Sequence, residues 1–471
     1  MIGEDEADSY DGPLITAPRP AEADYLDGLP VPKRYWAMLS ISLTVYVAVV
    51  EVIGTNVALP TIARSLGATP AASIWIVNAY QLAVVTTLLP FSALGDIVGY
   101  RRVYQAGIAT LAIASLFSAL SHSLISLAVA RFIQGLGVSG VLSVNIALVR
   151  TIFPSSMLGR GVGINAMISA VSTFLAPMVA TGILSVASWH WFFAVNIPVE
   201  IFALVITMFA LPNPTGSGRP FEYKSALLSA LTFGILLSSA SAFGHGVSAR
   251  TGAIGVAAAI CAGVVLVRRE LSQPAPLLAV DLLHKPLFAL SMATSVFSYT
   301  AQMLAYVSLP FYLQNVLGRS QIERGFLFSA WPLGAMAADL IAGYMVERCS
   351  SKLLGVFGMA TLSVGLLSLV LLPTRAATVS IVWRIALCGV GFGFFQTPNN
   401  RDIMSSAPKE RSGAANGMLG TSRLTGQTLG AASVALIFHR FSGATNAGSL
   451  AVGACFAFGA VILRYVLSRS E

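Results

Sequence analysis

Apolar residues gather along this chain into fourteen long stretches separated by short polar segments. Their approximate limits are 35–60, 72–95, 103–121, 124–148, 161–187, 191–211, 223–244, 251–268, 288–314, 325–346, 353–373, 378–398, 412–437 and 447–468. Stretches of this length suit the roughly 20 residues a helix needs to cross the hydrocarbon core of a bilayer. In lipid only helices and closed barrels satisfy every backbone polar group. The pattern predicts an all-α integral membrane protein with fourteen transmembrane helices. Composition agrees: 56% of the 471 residues are hydrophobic and 10% are charged, against roughly 25% charged in a soluble domain.

The net charge of +8 raises nucleic acid as a partner, but the sequence has no basic patch interleaved with aromatics. Lys and Arg sit instead in short loops, where they report topology. Segments on the N-terminal side carry most of them, including Lys33, Arg34, Arg101, Arg102, Arg150, Arg160, Lys224, Arg268, Arg269, Lys285, Arg348, Lys352, Arg401, Arg464 and Arg469; Arg64, Arg250, Arg319, Arg324, Arg375 and Arg440 lie opposite. Both termini are therefore expected in the cytoplasm. The first 34 residues, acidic and proline-containing, read as a disordered cytoplasmic tail rather than a cleavable signal peptide. Cys261, Cys349, Cys388 and Cys455 form no CxxC pair and read as small packing residues, with neither a disulfide nor a metal site expected.

Polar residues inside the apolar stretches carry the candidate chemistry. Glu51 lies near the middle of the first, in VAVVEVIGTNVALP. An ionised carboxylate at bilayer depth costs at least ~2.5 kcal/mol, so it must be neutralised, paired or placed in a wet cavity. Such groups bind protons and cations; the plainer reading is a protonated Glu locked by hydrogen bonds to a neighbouring helix. Asp339 is a second such acid, in WPLGAMAADLIAGYM. Cation or proton binding there and simple pairing with Arg384 or Arg423 fit equally well. Arg131, Arg384 and Arg423 fall within stretches, and Arg131 needs a carboxylate or carbonyls nearby. Glu200, just after Pro198, reads as an acid at the positive end of a helix. His190 and His245 read as interfacial. Phe297, Tyr299, Gln302, Tyr306, Phe394, Phe395, Gln396 and Asn399 form either a cavity lining or aromatic core, and cation–π contact would suit planar cations; Asn56, Tyr80 and Gln81 join the candidate lining.

A weak internal repeat is visible. LGDIVGYRR follows the second stretch and GYMVERCSSK the tenth, placing Asp96 and Glu347 alike. Two six-helix halves with an extra helix pair between them account for the spacing. The division expected is a tail at 1–34, an N-terminal bundle at 35–211, a linker at 212–287 holding two extra helices (223–244 and 251–268), and a C-terminal bundle at 288–471.

LGDIVGYRR resembles the cytoplasmic loop signature of the major facilitator superfamily, GxLaDrxGrkxxl, through Asp96, Gly99 and Arg101. LAVARFIQGLG resembles its fourth-helix signature through Arg131, Gln134 and Gly135. EVIGTNVALP, SWHWFFAVNIP and GMLGTSRLTGQTLGAA (with Arg423) resemble first-, sixth- and thirteenth-helix patterns of the fourteen-helix drug:proton antiporters, with quaternary-ammonium and methyl-viologen exporters as the nearest relatives. Two departures stand out. Glu51 replaces the usual Asp, and the fifth-helix antiporter signature gxxxGPxxGG survives only as Pro177 and Gly182, with Ala176, Ala180 and Thr181 in glycine positions.

The resemblance implies two six-helix bundles plus two inserted helices. It implies gating by Asp96, Gly99, Arg101 and Arg102, with Glu347 and Arg348 as their counterparts, and proton coupling through Glu51, Arg131 and Asp339. No GxxxxGK[ST], HExxH or GxSxG motif occurs, so no enzymatic chemistry and no cofactor is expected, and a proton gradient is the energy source. The expected activity is export of lipophilic, cationic organic compounds in exchange for protons, by a monomer in a bacterial inner membrane. In the expected cycle a cation binds near deprotonated Glu51, the halves rock outward, and an external proton on Glu51 releases it. Dedicated export of one endogenous metabolite, and proton-linked uptake of a small solute, remain open.

Overall fold

The computed structural model describes residues 28–154, 157–212, 223–244, 249–271, 280–346, 348–373, 375–406, 412–440 and 446–469, and these hold no β-strand. Fourteen long helices follow one another: α1 (Lys33–Ser65), α2 (Trp75–Val98), α3 (Tyr100–Ala119), α4 (Leu124–Ile152), α5 (Leu158–Val186), α6 (Asn196–Ala210), α7 (Tyr223–Gly244), α8 (Ala249–Leu271), α9 (Pro286–Asn315), α10 (Gln321–Met345), α11 (Ser351–Val370), α12 (Thr378–Ser406), α13 (Ser412–Arg440) and α14 (Asn446–Arg469). Short helical turns, Pro70–Ser73 and His190–Ala194, precede α2 and α6. Among the described residues ten of these helices are long and apolar enough to cross a membrane; α3, α7, α8 and α13 fall short of that measure.

The apolar stretches located the helices to within a few residues at most ends. The largest difference is at α12, which runs to Ser406 rather than 398 because Asp402 is buried and bonded there instead of exposed. The chain is also packed earlier than a tail ending at 34 implies. The Leu29 amide donates to the Ile152 carbonyl at 2.9 Å, Arg34 Nε donates to the Leu29 carbonyl at 2.9 Å, and Leu29 is buried. Residues 1–27 of that expected tail lie outside the described residues.

Helices α1–α6 and α9–α14 form two bundles with one packing plan. In the first, α1 packs on α5 and α6, and α4 on α2 and α3, while α3 also meets α6; in the second, α9 packs on α13 and α14, and α12 on α10 and α11, while α11 meets α14. Matching glycines allow the matching crossings. A Cβ at Gly137 of α4 would lie 2.8 Å from the Gly107 carbonyl oxygen on α3, and one at Gly391 of α12 would lie 2.7 Å from that of Gly358 on α11. Small residues let membrane helices approach this closely.

The bundles meet through α1–α9, α2–α13 and α5–α10. The end at which α1 begins is the near end, the other the far end. At the far end Thr61 donates to Gln321 Oε1 at 3.3 Å, and a Cβ on Gly325 of α10 would fall within the Thr181 side chain of α5. Helix α7 packs on both α2 and α13, across the line where the bundles join, and α8 packs on α7.

Candidate functional site

Three other helices of the first bundle place polar side chains around Glu51 of α1, which is fully buried. Its Oε1 accepts hydrogen bonds from Ser115 of α3 at 3.2 Å, from Asn196 of α6 at 3.3 Å, and from the Gln134 amide of α4. Its Oε2 lies 3.8 Å from Arg131 Nη1 of α4 and has no hydrogen-bond partner among the described residues. Arg131 is itself buried; it donates to Gln134 Oε1 at 2.5 Å and stacks 4.4 Å from the centre of the Tyr80 ring. Cation–π contact of this kind helps hold a desolvated guanidinium.

The α4 backbone sets this geometry. Arg131 and Gln134 are three residues apart and so lie on one helix face, and a Cβ at Gly135 would lie 2.5 Å from the Tyr80 carbonyl oxygen, so α2 and α4 touch beside the pair. Glu200 completes the cluster. Its Oε1 lies 2.9 Å from Ser115 Oγ, and it is buried. The helix-end role expected for Glu200 does not describe it: its contact is with a hydroxyl on α3, part of the Glu51 cluster. Glu200 is the fifth residue of α6, past its first turn, and the sequence carried no signal of its partner.

Between the bundles the candidate lining divides. Gln81 Nε2 of α2 reaches Gln427 Oε1 of α13 at 3.5 Å, across the seam. Tyr299 sits 5.6 Å under the Arg423 guanidinium, and Arg423 is exposed. Tyr306 packs edge-on against Phe328 and Trp331. Gln302 and Gln396 are half-buried. Asn56 is buried and its amide has no partner among the described residues. Phe395 and Asn399 do not belong to this lining. Phe395 is fully buried in the second bundle, and Asn399 donates to Ser295 at 2.7 Å and accepts from Arg464 at 3.1 Å.

Asp339 is half-buried and accepts a 2.8 Å hydrogen bond from Thr397 of α12. Its side chain is thus turned towards α12. The expected alternative of pairing with Arg384 or Arg423 is not what the described residues show. Arg384 bonds to Ser380 and lies over Trp383, and Arg423 lies over Tyr299.

The gating residues at the near end bond within their own bundle. Asp96 accepts from Tyr100 at 2.6 Å, Arg101 donates to the Met208 carbonyl at 2.5 Å, and Arg102 is exposed. Arg348 donates to Tyr344 at 2.6 Å, while Glu347 lies outside the described residues, as does His245. Gly99 joins α2 to α3 at φ +99°, a left-handed conformation that glycine adopts without strain. In α5, Pro177, Ala176, Ala180 and Thr181 are buried, with Ala180 against the Gly54 position of α1. Gly182 is exposed, and a Cβ placed there would meet nothing within 4 Å, so close helix approach here rests on the alanines and Thr181. His190 bonds to the Ser121 carbonyl at 3.1 Å and stacks on Trp189. Of the cysteines only Cys388 is buried; Cys261, Cys349 and Cys455 are exposed.

One cluster left no signal in the sequence. Arg464 of α14, expected in a loop, is fully buried and pairs with Asp402 of α12 at 2.7 Å. Ser351 donates to the same carboxylate at 2.6 Å, and Ser291 and Asn399 accept from the guanidinium. Arg324, also expected in a loop, is buried beside Gln314.

Two repeated six-helix bundles meeting along a seam, with buried charge near it, form the plan of a membrane transporter. The model for the Major Facilitator Superfamily matches residues 39–431, and the chain belongs to that superfamily of multi-pass membrane transporters, which are not enzymes. It is 52% identical over 417 residues to the uncharacterized transporter YebQ of Escherichia coli K12, covering 88% of this chain and 91% of that one. It is 26% identical to the riboflavin transporter RibZ of Clostridioides difficile (86% and 89% covered) and 27% identical to the multidrug resistance protein Stp of Mycobacterium tuberculosis (87% and 76%). Its fold is similar to that of a bacterial homolog of the human lysosomal transporter Spinster, crystallised inward-facing and unoccupied, with a TM-score of 0.66 at 13% identity over 93% of this chain and 96% of that one.

Proposed function

We propose that this protein is a fourteen-span, proton-coupled exporter of lipophilic organic compounds, working by alternating access as a monomer in a bacterial inner membrane with its near end in the cytoplasm. The observation that carries this reading is Glu51, buried among donors from three other helices with Arg131 at 3.8 Å. A carboxyl so placed changes the charge of a dry interhelical pocket each time it gains or loses a proton, and that change biases how the helices pack. Multidrug resistance proteins among the relatives favour export of foreign compounds.

The roles within the cycle differ from a simple exchange at one carboxylate. Glu51 is shut away from the seam, so it serves as the proton site. Asp339, only half-buried and bonded to Thr397 alone among the described residues, is the acid that a bound cation meets. One proton moving through 100 mV releases about 2.3 kcal/mol, enough for useful accumulation.

A second reading has its own support. Arg423 is exposed beside Tyr299, which suits a planar compound bearing acidic or carbonyl oxygens, and a relative named for riboflavin transport is in keeping with it. A flux panel in inverted membrane vesicles separates the two. Uptake of ethidium that collapses with an uncoupler supports cation export; gradient-driven movement of a planar neutral or anionic compound, with none of ethidium, supports the second reading.

A further inference from the structure

Ser115 touches two carboxyl groups at once. Its Oγ lies 3.2 Å from Glu51 Oε1 and 2.9 Å from Glu200 Oε1, and it also accepts a 3.0 Å bond from the Gln134 amide. A serine hydroxyl owns one hydrogen and two lone pairs. The Gln134 amide occupies one lone pair, and the single hydrogen serves one carboxylate. The remaining contact is a hydrogen bond only if the other carboxyl brings its own proton.

The surroundings say which one does. Glu51 accepts from Gln134, Asn196 and Ser115, and Arg131 stands beside it. Glu200 has the Ser115 contact alone, and its Oε2 is without a partner among the described residues. Among the described residues Arg131 is the one cation within 4 Å of either group, and Tyr80 is the other titratable side chain packed on it. One buried cation compensates one carboxylate, and two ionised acids on a single hydroxyl in a dry site repel each other.

We infer that Glu200 is a second proton-carrying residue, neutral at rest, and that Ser115 relays its proton to Glu51. In the transfer the Glu200 O–H bond breaks as its proton joins Ser115 Oγ, and the hydrogen already on Ser115 passes to Glu51 Oε1. Serine ends as it began, Glu200 becomes the carboxylate and Glu51 the acid; one proton moves and no other reactant is needed. At rest the pair holds one proton, and its transfer turns Glu51 from charged to neutral. The inference rests on the proton-coupled reading but is tested without transport.

The test is infrared difference spectroscopy of the purified full chain in lipid nanodiscs at neutral pH, wild type minus Glu200→Gln. The expected result is a carbonyl-stretch band of a protonated carboxylic acid that the variant lacks; any band from Asp339 cancels. No such band in the difference overturns the inference. Ser115→Ala keeps both acids and removes only a hydroxyl, so it decides the matter should Glu200→Gln not fold. Its carboxylic band should move to higher frequency as the hydrogen bond is lost, and an unmoved band overturns the relay. A band present in a protein whose substrate flux ignores the proton gradient would defeat the transport reading and leave the pair standing.

Discussion

Glu51 and Arg131 face each other at 3.8 Å, and Gln134 bridges them, accepting from the guanidinium and donating to the carboxylate. The opposite charges are thus joined through an amide as well as by their own ion pair. A proton arriving on Glu51 removes the charge that Arg131 and the Gln134 amide answer to, while leaving Arg131 on the Tyr80 ring. The α1–α4 contact therefore has two distinct charge states, as a switch between conformations requires.

Replacing Gln134 with Leu should remove that bridge and leave buried polar atoms unpaired, at a cost of about 1–3 kcal/mol for each group stranded. Thermal unfolding in detergent should show a lower midpoint, and gradient-driven flux should fall while substrate binding persists.

Asp402 and Arg464 should behave as a structural pair. Removing one partner of a buried ion pair costs ~3–5 kcal/mol, so Asp402→Asn or Arg464→Ala should unfold at clearly lower temperature. The double variant Asp402→Leu/Arg464→Met, with neither charge left alone, should be more stable than either single variant. Additive losses in the same melting experiment would contradict a direct pairing.

The far-end seam should be closable on demand. Thr181 and Gly325 touch there, and cysteines at both positions should cross-link once the two helices part by about an ångström, since a disulfide holds its Cβ atoms roughly 3.8 Å apart. Oxidation should stop turnover and reduction restore it, read as vesicle flux before and after reductant.

Asp339→Asn should discriminate among substrates. Losing one favourable charge contact worth about 1.4 kcal/mol weakens binding roughly tenfold, so KM for a quaternary cation should rise about that much and KM for a neutral compound should not. Arg423→Gln should do the opposite for a planar anion.

Much of this fold is legible in the sequence, because in lipid a continuous apolar run is itself the signal for a helix. Glu51 and Arg131 stand out for the same reason, as charges where charge is costly. What the sequence hides is partnership across helices. Glu200 looked like an acid at a helix start, since nothing local says that Ser115, 85 positions earlier, turns towards it. Arg464 looked like a topology charge because it falls in the last turns of the final apolar run, beside Arg469; α14 continues to Arg469, and Asp402 lies 62 positions away. Asn399 joined the wrong group because proximity along α12 says nothing of which face meets α14. The packing of α7 on α2 and α13 is likewise set in three dimensions.

The central claim is that Glu51 is where proton movement is tied to substrate movement. The most direct measurement reconstitutes wild type and Glu51→Gln in liposomes and compares two modes: accumulation driven by an imposed pH gradient, and exchange of labelled for unlabelled substrate with no gradient. Glu51→Gln is predicted to lose gradient-driven accumulation and to retain exchange, because substrate meets the seam and the proton meets Glu51. Gradient-driven accumulation that survives in Glu51→Gln would contradict the claim and move the coupling site elsewhere.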